Sequence, residues 1–176
     1  MASLQTTIRQ FRNYKGLAER ALDQLNDESL LRASDAADNS LVVLVKHMHG
    51  NMLSRWTNFL TEDGEKAWRQ RDEEFEHSEM TRAQLLELWN AGWSRMFETL
   101  EQLSEADLER TIQIRGEAMT AGDAIIRQTM HYAYHVGQIV QLCKQRAGDG
   151  WQSLSIPKGG SAAYNSAMQE HPIAKG

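Results

Sequence analysis

An all-α fold is what this 176-residue sequence predicts, on two observations. Its two prolines, Pro157 and Pro172, both stand near the C-terminus, so the long stretch before them holds no residue that breaks a helix. That stretch is rich in Leu, Ala, Glu, Gln, Arg and Met, which cost little in a helix, and its apolar positions recur at helical spacing. The length suits one domain over residues 1–176, with a core that needs no disulfide or structural metal to hold it.

Ile8, Phe11, Ala18, Leu22 and Leu25 predict a first helix over about residues 4–25, followed by a polar stretch, 26–39. Asn39 or Ser40 is placed to cap a second helix over about 41–60, with the stripe Leu41, Leu44, Val45, Met48, Met52, Trp56 and Phe59. The charged segment 61–80 is long for a structureless connection and reads as an ordered crossover. Pattern leaves open whether it is a solvated loop pinned by Trp68 and Phe75 or a lid, and its charges are left out of the candidate site. Thr81 with Gln84 forms a capping box for a third long helix carrying Leu85, Leu88, Trp89, Met96, Leu100 and Leu103, where Gly92 permits a close neighbour. Ser104 with Asp107 predicts a helical turn, and Thr111 to Ile114, turning at Gly116, predicts a small hairpin. Thr120 with Asp123 opens a last long helix reaching about Arg146, ended by Gly148 and Gly150. From residue 151 a C-terminal arm is expected to pack through Trp151, Leu154 and Ile156 and then to fray.

Composition removes several classes of function. The formal charge is −5 and the arginines are interleaved with acids, so no basic stripe awaits a phosphate backbone, and nucleic acid is not an expected partner. No charged start and apolar run mark a leader, and the longest purely apolar run, 41–45, is far too short to span a bilayer. A cytoplasmic protein with no membrane partner is expected. The single cysteine, Cys143, fits a reducing compartment and excludes cysteine-rich zinc sites; it falls on a different face from the histidines and reads as a core thiol.

The chemistry lies with the histidines. His131 and His135 are four residues apart, so on a helix two imidazoles stand one turn apart on one face and both reach a single metal ion. No Glu follows the first His, so the metalloprotease motif is missing. Gln128 and Gln138 lie on the same stripe, placed to orient the imidazoles or a bound water. Tyr134 points about 100° away and is not counted as catalytic. The candidates for a third ligand are His47 and His49 on the second helix, His77 in the crossover and His171 in the tail. The second helix is favoured, because bundle metal sites are built from facing helices. Between its two histidines periodicity does not choose: His49 lies nearer the apolar stripe, whereas His47 shares a polar stripe with Ser40, Asn51 and Ser54.

The segments Val45-Lys46-His47-Met48-His49-Gly50-Asn51 and His131-Tyr132-Ala133-Tyr134-His135-Val136-Gly137-Gln138-Ile139 resemble the two metal motifs of the DinB-like, or YfiT-like, superfamily. The resemblance covers most of the chain. It is closest to a branch sharing Arg55-Trp56-Thr57-Asn58-Phe59-Leu60-Thr61, Asp63-Gly64-Glu65-Lys66 and Ser155-Ile156-Pro157. It implies a four-helix bundle with one long crossover connection, often a homodimer, and a divalent metal ion, zinc or nickel, held by His47, His131 and His135. It assigns His49 no ligand role, which leaves that residue as a candidate for the interior or for supporting the ligands.

Three neutral imidazoles leave the ion's charge uncompensated and a position open, as in catalytic zinc sites. Relatives resemble one another in using that position for thiol chemistry, which makes the leading expectation a metal- and thiol-dependent transferase acting on a small electrophilic substrate, with a low-molecular-weight thiol as co-substrate. The competing expectations are a non-enzymatic dimeric metal-binding stress or interaction protein and a metal-dependent hydrolase. No general base or thiol-recognition motif is readable, so the catalytic residues stay unassigned.

Overall fold

The computed structural model describes residues 3–34, 39–76 and 78–170. The chain is mostly helical: α1 (Leu4–Leu22), α2 (Asp27–Leu31), α3 (Leu41–Trp56), α4 (Arg82–Gln102), α5 (Ala121–Ala147) and α6 (Ser161–Glu170), with one small antiparallel sheet of β1 (Thr111–Ile114) and β2 (Glu117–Thr120) between α4 and α5.

Four long helices start on a side chain that accepts a backbone N–H three residues on. Ser3, Ser40, Thr81 and Thr120 receive the amides of Thr6, Val43, Gln84 and Asp123 respectively. Each cap satisfies an amide the helix leaves free and contributes about 1 kcal/mol. The capping box expected at Thr81 and Gln84 is complete, and Gly148, at φ 54°, stands where α5 ends. Arg115 and Gly116, at φ 57° and 74°, form the tight turn between β1 and β2.

The core lies between the long helices, α3 running along α4 and α1 along α5. At its centre Phe11 of α1 meets Trp56 of α3, Trp93 of α4 and Tyr132 of α5, with ring centroids 5.8–6.5 Å apart. One aromatic ring from each helix thus joins a single cluster, and truncating any of these rings removes about 3–5 kcal/mol of packing. Gly92 brings α4 close to α3: a Cβ there would stand 3.2 Å from the Cα of His49 and 3.1 Å from Met52 Sδ.

Three boundaries differ from the sequence expectation. The second helix stops at Trp56, not near residue 60, because Thr57 is extended and Asn58 turns left-handed at φ 51°; Phe59 is buried all the same. The polar stretch after α1 contains α2, capped by Asn26, whose Leu30 is fully buried. The C-terminal arm packs through Trp151 and Leu154 as expected, but Ile156 is exposed, and residues 161–170 form α6, with no buried residue, where fraying was expected.

Residues 57–76, which follow α3, are tied to the hairpin by polar contacts. The Ser54 hydroxyl donates to the Gly64 carbonyl at 2.7 Å and accepts the Lys66 amide at 3.1 Å, and the Gly64 amide donates to Gln113 of β1 at 2.8 Å. Asp63 accepts the amides of Arg115 and Gly116 at the hairpin turn. Trp68 is 55% exposed and so is not a buried anchor of this segment. The anchors are Arg69 and Glu74, whose side chains are almost wholly buried. Among the described residues no helix is long and apolar enough to cross a membrane.

Candidate metal centre

The helical rise of 1.5 Å per residue sets His131 and His135 one turn apart on α5, and the packing of α3 across α5 brings His47 to face them. One ligand atom from each of the three lies within 4.8 Å of the others, a set able to hold one metal ion. His47 and His135 are buried, and His131 is half-buried.

The tautomers follow from the hydrogen bonds. His131 Nδ1 lies 3.2 Å from the amide oxygen of Gln128, and His135 Nδ1 lies 2.8 Å from that of Gln138. An amide oxygen only accepts, so each Nδ1 carries the proton. His47 Nδ1 donates in the same way to the Glu74 carboxylate at 3.0 Å. In the neutral form of each ring Nε2 is then the bare nitrogen, and the three turn toward one another: His131 Nε2 lies 3.0 Å from that of His135 and 3.4 Å from that of His47. Three lone pairs this close repel unless a cation lies among them. Metal–nitrogen bonds of 2.0–2.1 Å imply ligand separations of roughly 3.3 Å in a tetrahedral site and roughly 3.0 Å in an octahedral one. The two separations at His131 fall in this range, and three imidazole nitrogens are a donor set that suits a divalent ion.

Burial, the neighbouring imidazoles and the nearby Arg55 and Arg69 push His131 down to about 3, and burial also lowers His135. Both rings stay neutral at physiological pH, the form that binds metal. Burial works against the charge on Glu74, but hydrogen bonds from Arg69 and His47 outweigh it and hold the carboxyl below its ordinary range. Arg69 grips Glu74 through Nε and Nη2, both at 2.8 Å. Arg69, Glu74 and His47 thus form a chain from the crossover to the centre, and a carboxylate behind a ligating histidine fixes its ring and raises its basicity.

Of the two helix-two candidates, His47 faces the pair on α5. His49 turns the other way and donates its Nδ1–H to the Leu88 carbonyl of α4 at 2.9 Å. The apolar stripe that drew attention to His49 is the α3–α4 contact, whereas the polar stripe of His47, Asn51 and Ser54 borders the cavity and the crossover. His77 and His171 lie outside the described residues.

Gln128 and Gln138 hold the α5 histidines as their positions suggested. Glu74 and Arg69 were missed, because they sit in a segment of mixed charge whose pattern does not distinguish a buried pair from a solvated one. Gly50, one turn from His47, was missed as well: a Cβ there would collide with the Glu74 carboxylate. Below the centre a buried polar chain joins α3 to α5, with Trp56 Nε1 donating to the Tyr132 hydroxyl at 2.9 Å and that hydroxyl donating to Asn51 Oδ1 at 3.0 Å. Asn51 is one turn from His47 and Tyr132 is next to His131, so this chain holds the two helices in register at the site.

The histidines open on a cavity of about 470 Å³ walled by Asn51, Phe75, Gln128 and Tyr134 among others. Phe75 packs 5.0 Å from His47 and Tyr134 5.0 Å from His135, ring centre to ring centre. Tyr134, though 63% exposed, is a rim residue of the site and does not point away from it altogether. Cys143 is fully buried in the core and is no part of this cavity.

No curated protein and no solved structure matches the chain. Residues 1–160 match the family described as "Protein of unknown function (DUF1572)". That match spans all of α1 to α5 and the three histidines, and the chain belongs to this family.

Proposed function

We propose that this protein is a divalent-metal enzyme of the DinB-like type, in which the Nε2 atoms of His47, His131 and His135 hold a zinc or nickel ion at the floor of the cavity. The observation that carries the reading is the orientation of the three rings: each Nδ1 proton is taken by Glu74, Gln128 or Gln138, so each free lone pair turns to the same point. In the same reading α1, α3, α4 and α5 make a four-helix bundle with 57–81 as its one long crossover.

A bound divalent ion lowers the pKa of a thiol or water that reaches it and so supplies a nucleophile at neutral pH. The chain's own residues do the rest. Glu74, Gln128 and Gln138 fix the three rings, Phe75 and Tyr134 wall the space above them, and the neutral imidazoles leave the charge at the floor uncompensated. Those features support a metal- and thiol-dependent transfer to a small electrophile, with a low-molecular-weight thiol as co-substrate. Conjugation of an aromatic halide probe should require both metal and thiol. Lack of turnover with every common low-molecular-weight thiol, on protein shown to carry metal, would overturn the transferase.

A homodimer is proposed on a separate observation. Ile126, Met130 and Tyr134 recur every fourth residue along α5 and are each at least half exposed, an apolar row of the kind a second copy covers. The molar mass in solution tests it. The lone, buried Cys143 supports a reducing, cytoplasmic location.

A further inference from the structure

The protein is acidic overall, yet the cavity over the three histidines is lined by Arg55, Arg69, Arg71, Arg115 and Arg127 and, among the described residues, by no aspartate or glutamate. Two of these arginines serve the fold. Arg69 is committed to Glu74 and Glu65, and Arg55 to Glu65 and the Gly64 carbonyl. Even so, Arg55 Nε is buried without an acceptor. Arg115 also pairs with Glu65, at 3.1 Å, so among the described residues Glu65 and Glu74 together face three guanidinium groups. Asp63, which accepts the Arg115 amide and lies close enough to Arg55 to feel its charge, completes the acidic side of this group, so the arginines free for a ligand are those at the rim.

At the rim, Arg71 meets Asp72 only at 3.7 Å and Arg127 meets Glu117 at 3.4 Å, with both acids largely in solvent. Such exposed pairs are weak and give way readily to a better ligand. Arg71 lies over the Phe75 ring, 4.9 Å from its centre, and Phe75 packs on His47. Arg127 is one helical turn before His131 on α5. These two arginines and Arg115 therefore bound the space above the histidines from the crossover, from α5 and from the hairpin turn.

We infer that the substrate is a small molecule carrying an oxyanion, a carboxylate or a phosphate, which Arg71, Arg115 and Arg127 grip while its reacting end faces the three histidines. The planar fork of a guanidinium matches either anion with two parallel hydrogen bonds. The inference rests on the metal reading, since a dication on three neutral ligands adds to the charge that the ligand must balance.

The test is calorimetric titration of zinc-incubated, untagged protein at low ionic strength with succinate, inorganic phosphate and the neutral succinamide. One-to-one binding of at least one anion is expected, with no heat from succinamide and weakening in added salt. The tighter of the two anions identifies the group. An Arg71→Gln/Arg127→Gln double variant should bind about tenfold or more weakly, since hydrogen bonds to charged groups are lost. These side chains are about half exposed, so folding is not at risk, and Arg9→Gln, exposed on α1 away from the cavity, should bind as wild type does. Silence with both anions, or equal binding by the double variant and wild type, would overturn the inference. Metal content is measured on the same samples. Zinc-loaded protein that ignores both anions sinks the anion site alone, whereas zinc-free protein whose succinate binding still depends on the arginines sinks the metal reading and leaves the anion site standing.

Discussion

The Glu74 carboxylate accepts the Nδ1 proton of His47 at 3.0 Å while Arg69 holds both of its oxygens, so a residue of the crossover sets the direction of a ring on α3. Replacing that carboxylate with a neutral amide, a weaker acceptor that adds no basicity to the ring, should weaken metal binding without unfolding the protein. Glu74→Gln is expected to lose about 10–100-fold in zinc affinity, as loss of a partner behind a metal ligand commonly does. Competition with a chelating dye measures it, and unchanged affinity would show that the pair is only structural.

Gly50→Ala tests the same effect from the α3 side. An alanine in a helix interior is favoured over glycine by about 1 kcal/mol, but its Cβ would meet the Glu74 carboxylate. The variant should bind zinc more weakly, as Glu74→Gln does, with the loss of melting temperature from the displaced Arg69–Glu74 pair partly offset by the gain in helix propensity. A variant with wild-type affinity would mean that Glu74 finds another route to His47.

The helices and the α5 pair were legible in the sequence because both rest on local periodicity and capping: Thr81, Thr120 and the spacing of His131 and His135 say where helices start and which side chains share a face. The choice of His47 was not legible from periodicity, which leaned toward His49. The apolar stripe of α3 marks its contact with α4, not the cavity, and only the resemblance pointed to His47. Glu74 and the cavity arginines were illegible for a different reason. Arginines spread from Arg55 to Arg127 converge through the crossover and the hairpin, and a charged side chain reads the same in sequence whether it is solvated or buried in a pair.

Gly92 is a packing residue. In Gly92→Ala the gain in helix propensity is opposed by contact with the His49 backbone at 3.2 Å, which cannot swing aside as a side chain does. Overpacking of this kind costs typically about 1–3 kcal/mol, so a net loss of stability is expected in chemical denaturation. A stabilised variant would mean that α3 and α4 separate easily.

Metal-free protein should lose stability in acid. His131 is held near 3 in the folded chain against 6.5 for its ordinary value, so between those limits the unfolded chain binds a proton that the folded one refuses. Stability from this ring is complete above pH 6.5 and falls as pH drops toward 3, and His135 adds in the same direction. Denaturation of chelator-treated protein at pH 7.5 and pH 5 should show the fall, and His131→Gln should make it shallower. An equal slope in both proteins would contradict the account of the buried ring.

Burial pushes the Cys143 thiol up to about 12, which leaves about one thiolate in ten thousand at pH 8. A disulfide reagent should leave native protein unmodified and label one thiol per chain after denaturation. Rapid labelling of the native protein would place Cys143 outside the core.

The three-histidine centre is tested most directly by elemental analysis of untagged protein beside His47→Ala, His131→Ala and His49→Ala variants. One zinc or nickel ion per chain is expected in the wild type and in His49→Ala, with loss of the ion from the other two. Equal metal content in all four proteins, or loss only from His49→Ala, would contradict the centre.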